Sequence, residues 1–256
     1  MSGPILEVAA NSVASALAAE AGGAARVELC SALELGGLTP SHAVIAIACE
    51  RLRIPVHVLI RPRAGDFVFD DSECEVMRRD IGICKSLGCA GVVMGVLTVE
   101  ADVDVPRCRA LMDAARGISV TFHRAFDFTR DPARALDIIM ALGCDRLLTS
   151  GQAADAMAGA PLIRKLIVRA EDRITIMPGG GITAQNILAI AEATGAHEFH
   201  ASAKMRVPTR MHRPIPAPGD MGDAHWQTDA TEVRARVDVL RTLSSSAHPS
   251  RRNPSQ

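Results

Sequence analysis

Residues 120–127 read Val-Thr-Phe-His-Arg-Ala-Phe-Asp, and this stretch decides the predicted fold. Its first half consists of β-branched and aromatic residues, which is typical of a buried strand. Its second half places an imidazole, a guanidinium and a carboxylate within five positions, which packing alone does not require. Asp131-Pro132 follows, an acceptor side chain before a proline, and this pair predicts the start of a helix. The unit is therefore a buried strand, a polar tip and a helix start.

The same unit recurs along the chain at intervals of 21 to 34 residues. The predicted strand tips are Glu7, Glu28, Arg61, Gly95, His123, Ser150, Gly179 and His200. Eight apolar strands that alternate with helices indicate a parallel sheet, and this number of units is that of a TIM (β/α)8 barrel. An open, doubly wound sheet is the alternative. With 256 residues the chain has the length of one such domain, which we predict to span residues 1–243.

Two regions lie outside this repeat. Residues 203–229 are rich in Pro, Arg, Met and Gly, and they are predicted to form a long loop on the tip side of strand eight. The Ser-, Pro- and Arg-rich residues 244–256 are predicted to be a disordered polar tail.

Two helix starts also have a signal: Ser72 and Glu75 have the spacing of a capping box, and Thr183 is expected to cap the helix after strand seven.

Composition excludes several classes of protein. The net charge is −1, and no run of Lys and Arg with interleaved aromatic residues predicts contact with nucleic acid. The longest uncharged stretch, residues 174–191, contains proline, glycine and amide side chains, so a membrane span is not expected. Seven scattered cysteines without a C-x-x-C pair, in a sequence with no signal-peptide pattern, predict reduced thiols and a cytoplasmic protein.

Polar side chains are concentrated at the strand tips, where barrel enzymes place their active sites. The candidates for catalysis are Glu7, Glu28, Arg61, His123, Arg124 and Asp127. Each alone has a structural explanation; Arg61 and Glu28, for example, lie on adjacent strands and could form an ion pair. Polar tips that converge on one rim favour a pocket, because buried polar groups are costly unless they are paired or used. His57, in the middle of an apolar strand, is expected to be a core or barrel-interior residue.

Residues 177–183 read Met-Pro-Gly-Gly-Gly-Ile-Thr and predict an anion site. Glycines between a strand and a helix let backbone N–H groups point at an anion, and barrels often bind phosphate after strands seven and eight. The candidate anion-binding residues are Ser150, Gly179, Gly180, Gly181, His200 and Ser202. A tight turn without a ligand is the alternative. The expected partner is a small anionic ligand.

The cysteines divide into two groups. Six of them fall in predicted helices or directly after helix-ending glycines, where a buried thiol acts as a small apolar side chain. Cys30 ends strand two at the rim and is the one thiol placed for chemistry. A soft ion such as Cu(I) prefers thiolate and thioether ligands, so Cys30 is the candidate metal ligand, with Met94, Met177 or a histidine as helper.

Several segments together resemble the CutC family. They are residues 6–8, 26–30, 36–41, 60–63, 120–127, 148–151 and 177–181. The resemblance runs from about Leu6 to Ala203, and it implies a TIM barrel in the cytoplasm that forms a homodimer or a higher homo-oligomer. It also implies a role in copper homeostasis, with Cu(I) bound by cysteines near the ends of strands one and two. Cys30 occupies the second of these positions, whereas Ala9 stands where the family often has the first cysteine.

Three functions remain open from the sequence. The family resemblance implies a protein that binds or handles Cu(I) in the cytosol. The tip residues favour a TIM-barrel enzyme that acts on a small anionic or phosphorylated metabolite by acid–base chemistry. A scaffolding role, in which the tips serve stability alone, is the third.

Overall fold

The computed structural model describes residues 3–212 and 224–246. The barrel strands are β1 (Ile5–Ala10), β2 (Arg26–Leu29), β3 (Val56–Leu59), β4 (Gly91–Met94), β5 (Ser119–Phe122), β6 (Arg146–Thr149), β7 (Thr175–Pro178) and β8 (Glu198–Ala201). Each pairs in parallel with the next along the chain from β1 to β7, and β1 pairs with β8. A parallel bridge between Gly179 and His200 joins β7 to β8. The sheet therefore closes, which confirms the predicted barrel and excludes the open sheet.

A helix follows each barrel strand and covers the outside of the sheet. The helices are α1 (Val13–Ala21), α2 (His42–Arg51), α3 (Asp71–Ser86), α4 (Val105–Ala114), α5 (Pro132–Leu142), α6 (Ala160–Ala170), α7 (Ile187–Thr194) and α8 (Ala230–Ser246). The α5 start is the predicted one: Pro132 opens the helix and the Asp131 side chain accepts hydrogen bonds from the N–H groups of Ala133 and Arg134. These N–H groups have no acceptor within the helix, so the cap satisfies them.

Two predicted caps are wrong. The α3 capping box joins Asp70 and Glu73, each of which accepts from the other's backbone N–H at 2.8 Å. Asp70 precedes Ser72 and is an equally good cap, so the helix starts earlier than predicted. The helix after β7 starts at Ile187, and Thr183 does not cap it. Thr183 instead donates its N–H to the Asn186 side chain at 2.8 Å, which closes a turn before the helix.

The predicted loop 203–229 contains an antiparallel hairpin. Its strands are β9 (Lys204–Pro208) and β10 (Ala224–Thr228), while residues 213–223 lie outside the described part. The Thr228 N–H donates to Ser15 Oγ at 3.1 Å, and Asn11 donates to the Trp226 carbonyl at 2.8 Å, so the hairpin is tied to the start of α1. Helix α8 continues to Ser246, which corrects the predicted start of the tail; residues 247–256 lie outside the described residues.

Side chains alternate along each strand between the helices and the barrel interior. Val27 and Leu29 of β2 belong to the main apolar core with the surrounding helices, whereas Cys30 packs with Leu59 and Val93 in a separate small cluster. The side chains of β2 that point into the barrel are therefore Arg26 and Glu28, and Cys30 follows them at the carboxyl end of the strand.

None of the helices in the described ranges combines the length and the apolar character needed to cross a bilayer.

Candidate functional site

A cavity of about 460 Å³ opens at the carboxyl ends of the barrel strands. The predicted site residues that line it are Glu28, Cys30, Arg61, His123, Arg124, Gly180, Gly181, His200 and Ser202. They come from strands on all sides of the barrel, so the closed sheet brings distant parts of the chain to one mouth. Four predicted residues do not line the cavity: Glu7, Asp127, Ser150 and Gly179.

Glu7 belongs to a buried ion network below the cavity. Strand β1 continues to Ala10, so Glu7 lies in mid-strand opposite Arg26 and not at a tip. Its carboxylate accepts from Arg26 Nε, and Arg26 also donates to Glu198, which accepts from Arg146 Nε at 2.8 Å. Burial opposes ionisation of Glu7, but Arg26 beside it holds the pKa of the carboxyl below its ordinary value of 4.5. The predicted pocket position of Glu7 is therefore wrong, and its partners give it a structural role.

His200 and Glu28 form an ion pair in the wall of the cavity. His200 Nε2 lies 2.7 Å from Glu28 Oε2 and 3.9 Å from Glu7 Oε1. Burial disfavours the charged imidazole, but the two carboxylates, Glu28 foremost, raise the pKa of His200 above 6.5. The raised pKa favours the charged imidazole, so the pair has the chemistry of a general acid.

His123 presents a fixed hydrogen-bond donor. Its Nδ1 accepts from the Ala125 N–H at 3.2 Å, so the proton of the neutral ring is on Nε2. Nε2 is buried and has no hydrogen-bond partner among the described residues. Burial, and then the Arg61 guanidinium, lower the pKa of His123 to about 3. The ring is therefore neutral at physiological pH and keeps one buried N–H unpaired.

Arg61 is oriented by backbone carbonyls and an aromatic ring. It donates to the carbonyls of Leu35, Gly37 and Gly65 at 2.8–3.0 Å, and its guanidinium carbon lies 4.9 Å from the centroid of the Phe67 ring. Arg61 forms no ion pair with Glu28, which accepts from His200 instead. Arg61 Nε is buried and lacks a partner among the described residues. Neutral acceptors hold the cation without cancelling its charge.

Arg124 is positioned by Asp127. Arg124 Nε donates to Asp127 Oδ2 at 2.8 Å, and Arg124 Nη2 donates to Ser150 Oγ at 2.7 Å. The Asp127 side chain is only 6% exposed, and it also accepts from Thr149, from the Ser150 N–H and from the Gln152 N–H. With this many donors its carboxylate is occupied, so the geometry gives Asp127 a positioning role and not the predicted proton transfer. The Arg124 side chain itself remains 43% exposed at the mouth.

The glycine loop leaves space beside Arg124. Gly180 and Gly181 have φ angles of +99° and +71°, which residues with a side chain rarely adopt. A Cβ on Gly180 would lie 3.5 Å from Arg124 Nη1 and 3.4 Å from Ser150 Cβ. Gly179 serves the fold instead: its N–H donates to the Thr149 carbonyl at 2.9 Å and it forms the bridge that closes the barrel. A small group at the mouth can thus approach the backbone and the guanidinium together.

Among the cavity-wall residues that the sequence did not predict, three carry a charge or an aromatic ring: Phe67, Lys204 and Arg236. Arg236 donates to the Ile182 carbonyl and to Glu232, and it is buried although it lies on α8. Its spacing from Val233 and Leu240 places it on the apolar face, a signal that could have been read from the sequence. Phe67 and Lys204 lie in segments without a periodic pattern, so nothing marked them.

Comparison with known proteins identifies the family. The CutC family model matches residues 4–205. The chain belongs to the CutC family. A CutC-family protein of Xanthomonas campestris pv. campestris (strain B100) is 54% identical over 237 residues, which cover 93% of this chain and 99% of the relative. A CutC-family protein of Chromobacterium violaceum is 47% identical over 241 residues, and the match covers 92% of this chain and 98% of the relative.

A solved CutC structure agrees with the barrel. It is the CutC protein from Streptococcus agalactiae, which is named for copper homeostasis; it is 34% identical, has a TM-score of 0.75 and covers 78% of this chain and 98% of its own. The thiamine phosphate pyrophosphorylase of Pyrococcus furiosus has a TM-score of 0.59 at 12% identity, covers 93% of this chain and 96% of its own, and shows the fold alone. The CutC fold of this chain is therefore established by sequence and by structure.

The CutC family name directs attention to copper, and Cys30 does not fit a copper site well. Its thiol is buried, and burial followed by the charges of Glu28 and Glu34 raises its pKa far above the ordinary value of 9.0. Ala9 supplies no second thiol on β1, and the described residues contain no group of three His, Cys, Asp or Glu side chains arranged for a metal. Copper binding at Cys30 stays a prediction that the donor set does not favour.

Proposed function

We propose that the mouth of the barrel binds a small metabolite with a phosphate or carboxylate group, and that the protein is an enzyme that moves a proton on it. One observation carries the proposal: Arg61 and His123 line the cavity, and Arg61 Nε and His123 Nε2 are buried N–H groups without partners among the described residues. An unpaired buried donor costs about 1–3 kcal/mol. An oxygen atom of a bound ligand that accepts hydrogen bonds from these two donors, on either side of Phe67, would remove this cost.

The anionic group of the ligand is assigned to the other side of the mouth. Arg124, the Gly180-Gly181 turn and Ser202 border the cavity there, and Lys204 contributes a further cation. Charge-assisted hydrogen bonds from an arginine are stronger than neutral ones, and the side chain is exposed enough to reach a ligand. The glycine turn follows strand seven and Ser202 follows strand eight, where barrels often bind phosphate.

The proton transfer is assigned to the His200–Glu28 pair. His200 in its charged form can act as a general acid. After it has lost its proton, the same imidazole can act as a general base. Glu28 keeps the imidazole oriented and stabilises its charge from 2.7 Å. His123 cannot share this task at neutral pH because its low pKa keeps it neutral. Its N–H can stabilise negative charge that develops on an oxygen of the ligand.

Copper handling is the second candidate, and the family name of the Streptococcus agalactiae protein favours it. Under this hypothesis Cys30 binds Cu(I) together with a second soft ligand. A cytoplasmic location and a homo-oligomeric state belong to both candidates and are proposed from the family resemblance.

A ligand panel tests the proposed binding. Phosphorylated and carboxylated metabolites of three to six carbons are expected to raise the melting temperature in a concentration-dependent way, because a ligand that binds only the folded state stabilises it. Their uncharged analogues are expected to leave it unchanged. The control is Arg63→Gln, since Arg63 follows the same strand as Arg61 but donates to Glu73 and Asp66 outside the cavity. Equal shifts for charged and uncharged compounds would contradict the proposal.

The same ligands separate an enzyme from a binding protein. A ligand that stabilises the protein is incubated with it in D₂O, and loss of a carbon-bound proton signal by NMR reports proton transfer. Glu28→Gln is expected to abolish the exchange while the thermal shift remains. Binding without any exchange would leave only the binding half of the proposal standing.

A further inference from the structure

Arg61 is a buried cation without an anionic partner in the described part of the chain. Three of the described arginines are buried, and two of them pair with a carboxylate: Arg26 with Glu7, and Arg236 with Glu232. Arg61 is only 6% exposed, and its hydrogen bonds go to backbone carbonyls. A buried charge is costly unless it is paired. The position of Arg61 therefore suits an anion that the described chain does not supply.

The neighbouring Arg63 shows that carboxylates are available to this segment. Its Nε donates to Glu73 at 2.5 Å and its Nη2 donates to Asp66 at 3.0 Å. Arg63 does not line the cavity, whereas Arg61 does. Burial, and then the charge of Arg63, lower the pKa of Arg61 below its ordinary value, as expected for a cation without a counter-charge. The acids of this segment thus neutralise the arginine outside the cavity and not the one on its wall.

The cavity wall as a whole carries more positive than negative charge. Among the described residues that line it, Glu28 is the one carboxylate, and it lies 2.7 Å from His200. The basic side chains of the wall are Arg61, Arg124, Lys204 and Arg236. Lys204 Nζ lies 4.7 Å from the centroid of the Trp226 ring and pairs with no carboxylate of the described residues. Arg61 and Lys204 are therefore both free to balance charges of a ligand.

The cations lie on opposite sides of the mouth. Arg61 follows β3 and Gly180 follows β7, and four steps around the closed sheet separate these strands in either direction. Opposite strands of an eight-stranded barrel are roughly 15 Å apart. Carbonyls in the loops after β2 and β3 hold the Arg61 guanidinium on its own side, and Ser150 after β6 holds Arg124 on the other. One small anionic group therefore cannot serve both sides.

We propose that the ligand of this mouth is a phosphorylated carboxylic acid, with its phosphate beside Arg124 and Gly180 and its carboxylate beside Arg61. This inference rests on the proposed function and specifies its ligand by a second anionic group. A carboxylate has two acceptor oxygens, so it can accept from both unpartnered donors, Arg61 Nε and His123 Nε2. A hydroxyl or ketone oxygen can also accept these hydrogen bonds, but it leaves the Arg61 charge unbalanced.

Calorimetric titration with phosphonocarboxylates tests the second anionic group on the full-length protein. The probes are straight-chain acids from phosphonoacetate to phosphonohexanoate. Each is compared with its primary amide, in which an uncharged group of similar shape replaces the carboxylate. The acid of the best length is expected to bind about 10- to 100-fold more tightly than its amide, because only the acid places a negative charge beside Arg61.

Variants then locate the carboxylate. Arg61→Gln is expected to bind acid and amide about equally, whereas Arg61→Lys keeps the charge and should retain part of the preference. Arg124→Ala should weaken both compounds and preserve their ratio, because Arg124 is assigned to the phosphonate. Arg63→Gln is the matched control and should change neither the affinities nor the ratio. Circular dichroism and the melting temperature check that each variant is folded.

The possible failures are distinguishable. Equal affinities of acid and amide at every chain length in the wild type would overturn this inference and leave the proposed function standing; this comparison needs no variant. A preference for the acid that persists in folded Arg61→Gln would overturn it as well, since the carboxylate would then lie elsewhere. Absence of binding by acids and amides alike would overturn the proposed anion site together with the inference.

Discussion

Glu7→Ala is expected to lower the free energy of unfolding by about 3 kcal/mol, because it removes one partner of a buried ion pair. Arg26 loses the Glu7 carboxylate in a place where neither side chain reaches solvent. Glu198 still accepts from Arg26, so the effect belongs at the lower end of the usual range of about 3–5 kcal/mol for such losses. Urea unfolding of the two proteins, followed by circular dichroism, gives the difference.

The control for this prediction is Glu75→Ala. Glu75 also pairs with arginines, Arg78 and Arg79, but these pairs are exposed on α3 and solvent screens them, so they contribute little to stability. The effect of pH has a defined sign. Since the folded-state pKa of Glu7 is lowered, its contribution is complete above about pH 4.5 and disappears as the pH falls through that lowered pKa. An equal loss for both variants would contradict the structural role of Glu7.

Arg124→Ala is expected to weaken binding of an anionic ligand about 10- to 100-fold. The loss corresponds to a charge-assisted hydrogen bond of about 1.5–3 kcal/mol. The fold should be preserved, because the Arg124 side chain is 43% exposed at the mouth. Isothermal titration calorimetry with the best ligand of the panel measures the change.

Asp127→Asn supplies a second, graded variant. Asp127 does not border the cavity but holds Arg124 through Nε, so its loss should weaken binding less than removal of the arginine. Arg63→Ala removes an arginine that also follows a strand end but lies outside the cavity, and it should leave the affinity unchanged. Equal weakening in Arg63→Ala and Arg124→Ala would mean that general charge, and not the mouth, determines binding.

The architecture was predictable because strand, tip and helix start repeat with their own local signals. Asp131-Pro132 predicts the α5 start at the correct residue, since a cap and a proline act locally. The α3 cap was misplaced because Asp70 and Ser72 are both good acceptors, and only the tertiary structure selects between them. The hairpin β9–β10 had no alternating apolar pattern, and its placement depends on Ser15 and Asn11 more than two hundred residues away.

The site was predictable as a set of residues but not as a set of roles. Strand ends converge in a closed barrel, so Arg61, His123 and His200 could be placed together from the sequence. Glu7 could not be assigned correctly without the length of β1, because two extra residues move it from the rim into the barrel. In the sequence, the Asp127 carboxylate looks as reactive as the other polar strand tips. Only its hydrogen-bond donors in the structure show that it positions Arg124. The contact between Cys49 in α2 and Cys89 just after α3 leaves no sequence pattern.

The most direct test of the anion site is a crystal structure of the protein grown without sulfate and soaked in inorganic phosphate. We predict tetrahedral density at the mouth, within hydrogen-bonding distance of the Arg124 guanidinium and beside Gly180 and Ser202. Arg124→Ala crystals soaked in the same way should lack it. Density only at sites outside the cavity, or an empty mouth in wild-type crystals at saturating phosphate, would contradict the account.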